Sequence, residues 1–146
     1  FGSDGATPDQ AQRVAEGENL DIRLMLRKYE AIVEAQRRLT CARRQRVLTG
    51  EEPCGSELGR TVMLQTIDDL WSDYLTAVNE RRADSVWLAL GAANPFAGYV
   101  VEVHRMFERF LQAVDEEWPA RLARAEANGD MDARTRGATG YDVVPG

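Results

Sequence analysis

The sequence predicts an all-α protein in which one very long helix packs with an antiparallel two-helix hairpin, followed by a flexible C-terminal tail. Two observations lead to this fold class. Apolar residues recur every three to four positions in three long segments, which is the period of an α-helix. Two short stretches of turn-forming composition separate the segments, Glu51-Glu-Pro-Cys-Gly-Ser56 and Gly91-Ala-Ala-Asn-Pro95. The 146 residues suffice for one domain with a modest core.

The first helix is predicted to span about residues 8–49. Thr7-Pro8-Asp9-Gln10 has the spacing of a capping box with Pro at the first helical position, and Gly50 tolerates the left-handed conformation that ends many helices. At 1.5 Å per residue this helix would be roughly 63 Å long, which exceeds what a small domain needs and is typical of a strut. Its apolar face contains Ile22, Leu26, Tyr29, Val33 and Thr40, joined by Met25, Ile32 and Leu39.

The hairpin is predicted to follow a linker at residues 50–56. Its first helix should run from about 57 to 90, and Asn94-Pro95 supplies the N-cap and first position of the next helix. Because the turn between them is short, the two helices should lie antiparallel. Trp71 and Tyr74 are assigned to the hairpin core, whereas Trp87, near the hairpin tip, is the better candidate for contact with a partner.

The third helix is predicted to stop or kink at Trp118-Pro119, because proline removes a backbone donor and restricts the residue before it. Residues 1–118 are therefore assigned to the helical domain, with the hairpin ending near residue 117. Residues 119–146 are assigned to a short helix and a poorly structured tail.

Composition restricts the class of partner. The net charge of −6 disfavours nucleic acid, so protein partners are expected. No apolar run reaches the roughly 18–20 residues that span a bilayer and no leader opens the chain, so we expect a soluble segment. Cys41 and Cys54 are expected to be free thiols in a reducing compartment. Because the chain begins with Phe1, we infer that it is a segment of a longer polypeptide.

Chemistry-bearing motifs are few. The sequence has neither a GxxxxGK[ST] phosphate-binding loop nor a dinucleotide-binding glycine fingerprint, and its one histidine, His104, excludes a multi-histidine metal site. Adjacent Asp68 and Asp69 would point about 100° apart on a helix, so they are interpreted as solvated surface rather than a catalytic dyad. An arginine cluster in the first helix could pair with an acidic partner domain or simply be a solvated helix end; it comprises Arg37, Arg38, Arg43, Arg44 and Arg46.

Three blocks of residues, together covering roughly residues 1–114, resemble SecA, the bacterial preprotein-translocating ATPase. In the first helix the likeness lies in Gln12-Arg13, Glu16, Asn19, Asp21-Ile22-Arg23, Leu26, Tyr29 and Gln36-Arg37, which are similar to the long scaffold helix. In the hairpin it lies in Leu64, Ile67-Asp68, Leu70-Trp71 and Leu75, and then in Pro95, Tyr99, Glu102, Met106-Phe107 and Phe110-Leu111. Phe1-Gly2-Ser3-Asp4 is similar to the tetrapeptide that follows the second motor domain.

The resemblance implies a scaffold and two-helix finger that transmit the movement of ATP-hydrolysing motor domains to an unfolded preprotein at a SecY-type channel. It implies motor contacts at Asn19, Asp21, Arg23, Tyr29, Gln36 and Arg37, and a finger tip at Trp87, Leu88, Leu90, Gly91, Ala92 and Asn94. ATP and Mg²⁺ would bind the motor domains of the same or a companion chain, with no cofactor or metal in this segment. The expected location is the cytoplasm, peripherally at the inner face of the cell membrane.

The chain departs from the SecA pattern at three places. After Tyr29 it has Glu30 and Ala31, where family members usually carry aspartates. The other two departures concern the hairpin tip and the linker. The tip has Ala89-Leu-Gly-Ala92 where the family frequently has Arg-Gly-Tyr, and only residues 50–56 stand where the wing domain is normally inserted. Both features look more like an accessory SecA of the actinobacterial kind.

The alternative function is a stand-alone helical adaptor or dimerisation protein, derived from a SecA scaffold without motor activity. A stand-alone enzyme ranks third, because no catalytic constellation is found.

Overall fold

The computed structural model confirms the all-α prediction with three helices in chain order. They are α1 (Pro8–Thr49), α2 (Glu57–Ala89) and α3 (Pro95–Ala138). The structure describes residue 5 and residues 7–89 and 95–138, with side chains described except at 86–89, 95 and 131–138. The predicted tail beyond residue 138 and the predicted turn at 91–93 lie outside these ranges. None of the helices in the described ranges is long and apolar enough to cross a membrane.

The predicted capping box at the start of α1 is confirmed. The Thr7 backbone N–H donates to Gln10 Oε1 at 3.0 Å, and the Gln10 backbone N–H donates to Thr7 Oγ1 at 3.4 Å. At the other end Gly50 has a φ of 80°, and its N–H donates to the Val47 carbonyl at 3.3 Å. The sequence therefore marks both ends of this 42-residue helix correctly.

The chain forms two compact units, residues 1–39 and residues 40–146. In the first unit every described residue up to Leu24 is exposed, and burial begins further along the helix. Tyr29 has no exposed surface and Gln36 is 5% exposed, whereas Leu39, predicted on the apolar face, is 61% exposed. The apolar face is thus narrower than the sequence indicated.

In the second unit α2 and α3 pack against each other as the predicted antiparallel hairpin. Contacts run in opposite directions along the two helices: Arg81 pairs with Glu102, Tyr74 with Phe107, and Asp69 with Arg121. The core between and around these helices contains fully or nearly fully buried side chains at Val47, Met63, Ile67, Val78, Val103 and Val114.

The predicted end or kink of the third helix at Trp118-Pro119 needs correction, because α3 continues through Pro119 to Ala138 as one helix. Pro119 is exposed, so water can reach the Asp115 carbonyl that loses its helical donor. Two residues beyond the proline, Arg121 donates to Asp69 of α2 at 2.7 Å and to Glu117 at 3.1 Å, which holds the helix after the proline. Tertiary contact therefore overrides the local signal.

Candidate functional site

The α2–α3 hairpin is stiffened by an aromatic cluster. Tyr74 stacks on Trp71 with ring centroids 5.3 Å apart, and it lies 5.6 Å from Phe110 and 5.8 Å from Phe107. The Tyr74 hydroxyl donates to the Val103 carbonyl at 3.4 Å. Aromatic pairs at these distances add about 0.5–1.5 kcal/mol each beyond burial, so the two helices should move as one body. The assignment of Tyr74 to the core is confirmed, whereas Trp71 is half-buried at the edge of the cluster.

A linker of seven residues joins α1 to α2 and is ordered by its own contacts. Gly55 has a φ of 77°, and the Ser56 hydroxyl caps α2 by accepting the Gly59 N–H at 3.0 Å. The Cys54 thiol is buried, 3.5 Å from Met63 Sδ, and burial raises its pKa. Cys41 is free and exposed, and Cys54 is free and buried.

Ion pairs surround the point where residues 40–49, the linker and the hairpin meet. Arg43 donates to Glu52 Oε1 from both Nε, at 3.1 Å, and Nη2, at 2.9 Å, and its Nη2 also donates to Asp115. Arg44 donates to both carboxylate oxygens of Asp68, at 3.0 and 3.2 Å. Burial alone would lower the pKa of Arg43, but the hydrogen bonds to Glu52 and Asp115 outweigh burial and raise it. These guanidinium groups stay charged at any physiological pH.

This arrangement changes two interpretations made from the sequence. Asp68 and Asp69 are partly exposed but not simply solvated, because each pairs with an arginine of a different helix. The arginine cluster divides: Arg37 and Arg38 pair with Glu34 on their own helix, whereas Arg43, Arg44 and Arg46 pair with acidic residues elsewhere in this chain. These three arginines therefore have acidic partners without a partner domain. Only the tertiary fold brings these residues together, so sequence spacing could not reveal them.

An apolar cleft of about 300 Å³ follows the seam between α2 and α3. Leu70, Tyr74 and Ala77 line it from α2, and Met106, Phe110 and Ala113 line it from α3. A more polar cleft adjoins it towards the tip and is lined by Glu80, Arg81, Asp84, Glu102 and Arg109 among others. Both clefts are formed by the spacing of the two helices, which the residue pattern of the sequence does not determine.

The described residues offer no metal centre, since no group of three or more His, Cys, Asp or Glu side chains among them is placed to hold an ion. His104 is exposed and its only ion-pair partner among the described contacts is Glu108, at 3.5 Å. Such an arrangement supplies no oriented acid–base pair.

The residues predicted to contact a motor differ in exposure. Asn19, Asp21, Arg23 and Arg37 are exposed, whereas Tyr29 and Gln36 are buried within the chain. Of the predicted finger tip, Trp87 and Leu88 lie in the last turn of α2, with side chains outside the described set. Leu90, Gly91, Ala92 and Asn94 fall outside the described residues. The motor and tip roles stay predictions.

Comparison with known proteins relates the linker and the hairpin to a known protein family. The family model for the SecA Wing and Scaffold domain matches residues 53–126, just over half of the chain. The chain belongs to the SecA family. The match begins in the linker, covers all of α2 and includes α3 to beyond Pro119.

Curated relatives agree with this assignment to the SecA family. The protein translocase subunit SecA of Salinibacter ruber is 29% identical over 89 residues, which is 61% of this chain and 8% of that protein. The SecA subunit of Carboxydothermus hydrogenoformans is 32% identical over 82 residues, 56% of this chain and 9% of that protein. The chain therefore spans less than a tenth of the length of these relatives. No solved structure matches the chain significantly.

Proposed function

We propose that this chain is the helical scaffold and two-helix finger of an ATP-driven protein translocase, which transmits motor movement to an unfolded preprotein at a SecY-type channel. The observation that carries the proposal is the position of the SecA match, which falls on the linker and the braced hairpin. ATP and Mg²⁺ would bind motor domains of the same or a companion chain. The whole assembly would work at the cytoplasmic face of the membrane.

The mechanical properties of the hairpin suit a finger. A rod that pushes on a polypeptide must resist bending, and the cluster around Tyr74 supplies that resistance along the seam. The rod must also be held at its base, and Asp68 and Asp115 provide charged anchor points there by pairing with arginines of α1. The residues at the opposite end, Leu90 to Asn94, would then be the ones to meet the preprotein.

The exposed segment of α1 suits contact with a motor. The helix is exposed at this point, and it presents two charges and an amide to solvent through Asp21, Arg23 and Asn19. Tyr29 and Gln36 are buried, which favours direct motor contact through the exposed residues rather than through these two side chains.

We further propose an accessory, wing-less type of SecA that exports a restricted set of substrates. The support is the linker, since only seven residues separate Thr49 from Glu57 and they fold into a compact capped connection. A folded wing domain needs far more residues than that.

Crosslinking in the native translocase tests the finger assignment. A photo-crosslinker at Ala92 should form an adduct with a stalled preprotein in membrane vesicles only when ATP is present. The same probe at exposed His104, on the side of α3, is the matched control and should not react. Equal adducts from both positions, or none from Ala92 while export continues, would contradict the finger assignment.

One observation favours the alternative, a stand-alone adaptor or homodimer. Apolar side chains on α1 are widely exposed, with Val14 at 61%, Leu20 at 54% and Leu24 at 48%. A strut without a motor to brace should self-associate through them. Light scattering that gives a monomer, with little binding of an apolar dye, would exclude self-association.

A further inference from the structure

Two neighbouring carboxylates on α2 hold two different helices. We infer that Asp68 and Asp69 form an ionic fork, in which Asp68 anchors the last turns of α1 and Asp69 anchors α3 beyond Pro119. Successive side chains on a helix point about 100° apart, so a single carboxylate could not serve both directions. Two adjacent acidic residues are the shortest sequence that can reach both helices.

Geometry supports both arms of the fork. On one arm Arg44 meets Asp68 through two parallel hydrogen bonds, at 3.0 and 3.2 Å, which fixes orientation as well as distance. On the other arm Arg121 Nη1 lies 2.7 Å from Asp69, while its Nη2 lies 2.8 Å from Glu117. Glu117 and Arg121 stand on either side of Pro119, so this arm also spans the weakest point of α3.

Few apolar side chains attach residues 40–49 to the hairpin. Val47 is the one large apolar side chain of this stretch that is fully buried, whereas Leu48 is 43% exposed and Cys41 is exposed. The same ten residues send three arginines to partners outside α1, namely Arg43, Arg44 and Arg46. Val47 therefore supplies apolar burial at one point, and the charge pairs around it add directional contacts that orient the end of α1 on the hairpin.

The Arg44–Asp68 pair is the part of this attachment that salt can weaken most easily, because the Arg43 side chain is only 15% exposed. The Arg44 and Asp68 side chains are 41% and 53% exposed, so their attraction is screened by salt. The end of α1 can loosen without opening the aromatic core of the hairpin. In a translocase the fork would be the point where movement of α1 reaches the finger, and a motor-free adaptor could use it equally well.

The buried thiol of Cys54 provides a native reporter of this loosening. It lies in the linker, between residues 40–49 and α2, and reacts with a thiol reagent only when that region opens. In a Cys41→Ser background of the whole chain, its labelling rate by a thiol reagent such as DTNB should rise roughly two- to fivefold in Asp68→Asn, the effect of losing one partly exposed ion pair. Asp68→Glu should label at nearly the wild-type rate, because the charge is kept.

Controls separate the fork from a general loss of stability. Asp73→Asn removes an exposed carboxylate one turn further along α2 and should leave the Cys54 rate unchanged. Arg44→Gln combined with Asp68→Asn should be no faster than either single variant. Salt near 1 M should bring the wild-type rate close to that of Asp68→Asn.

The second arm has its own readout. Asp69→Asn should speed amide hydrogen exchange in α3 after Pro119 while leaving Cys54 labelling unchanged. Equal Cys54 rates in Asp68→Asn and Asp73→Asn would overturn the fork. So would additive effects of the Arg44 and Asp68 variants, or a change in labelling that merely follows global unfolding.

Discussion

Among the glycines that the structure describes, Gly59 in the first turn of α2 has the least room for an added methyl group. A Cβ built there would lie 1.9 Å from the Cys54 carbonyl oxygen and 3.1 Å from its carbonyl carbon. Both are backbone atoms, so no side-chain rotation can relieve the overlap. Gly59→Ala would have to push the linker away from α2, together with the buried Cys54 side chain.

The size of the effect follows from two opposing terms. Alanine gains about 1 kcal/mol over glycine in helix propensity. Overpacking a tight contact costs typically 1–3 kcal/mol, and displacing Cys54 from Met63 removes further apolar burial. We expect a net loss of about 1–2 kcal/mol in the free energy of unfolding, which corresponds to a fall in Tm of roughly 2–8 °C.

Thermal unfolding followed by circular dichroism gives the measurement, and two other helical glycines supply matched controls. A Cβ at Gly17 or Gly98 meets nothing within 4 Å, so Gly17→Ala and Gly98→Ala should be neutral or stabilising by up to about 1 kcal/mol. A Tm for Gly59→Ala equal to or above the wild-type value would refute the role of the close contact.

Three further expectations concern α3, the cap of α2 and pH. Pro119→Ala should raise the free energy of unfolding by about 1–3 kcal/mol in urea titrations, because the exposed site regains a helical hydrogen bond; a loss of stability would show that the proline shapes α3. Ser56→Ala should cost about 1 kcal/mol, because the Gly59 N–H loses its acceptor, and Ser56→Asp should restore most of it. Burial raises the pKa of Cys54 above its ordinary value near 9.0, because the buried site favours the neutral thiol. The contribution of this thiol to the free energy of unfolding should therefore be fully present below pH 9.0 and should be lost as the pH rises through the folded-state pKa. Cys54→Ala should lower stability by the same amount at every pH through lost packing, but it should make the fall in stability at alkaline pH shallower. An unchanged slope of stability against pH would contradict the role of Cys54.

Local signals explain how well the helices could be predicted. The Thr7 to Gln10 box and Gly50 bound α1 correctly because capping depends on residues within one turn. Pro119 misled the prediction because proline has a strong local cost, while the contact that offsets it comes from Asp69, some fifty residues away in sequence.

The sequence alone determined the order of the three helices, the hairpin, its aromatic core and the likeness to SecA. Those depend on periodicity and residue identity, which are written along the chain. Only the tertiary structure decided that Asp68 and Asp69 face two different helices, that Gln36 is buried, and that Gly59 must lack a side chain. The two aspartates contact other helices, and Gly59 meets a backbone carbonyl of the linker, so these contacts depend on how separate segments fold against one another. Spacing along one helix carries no information about such contacts.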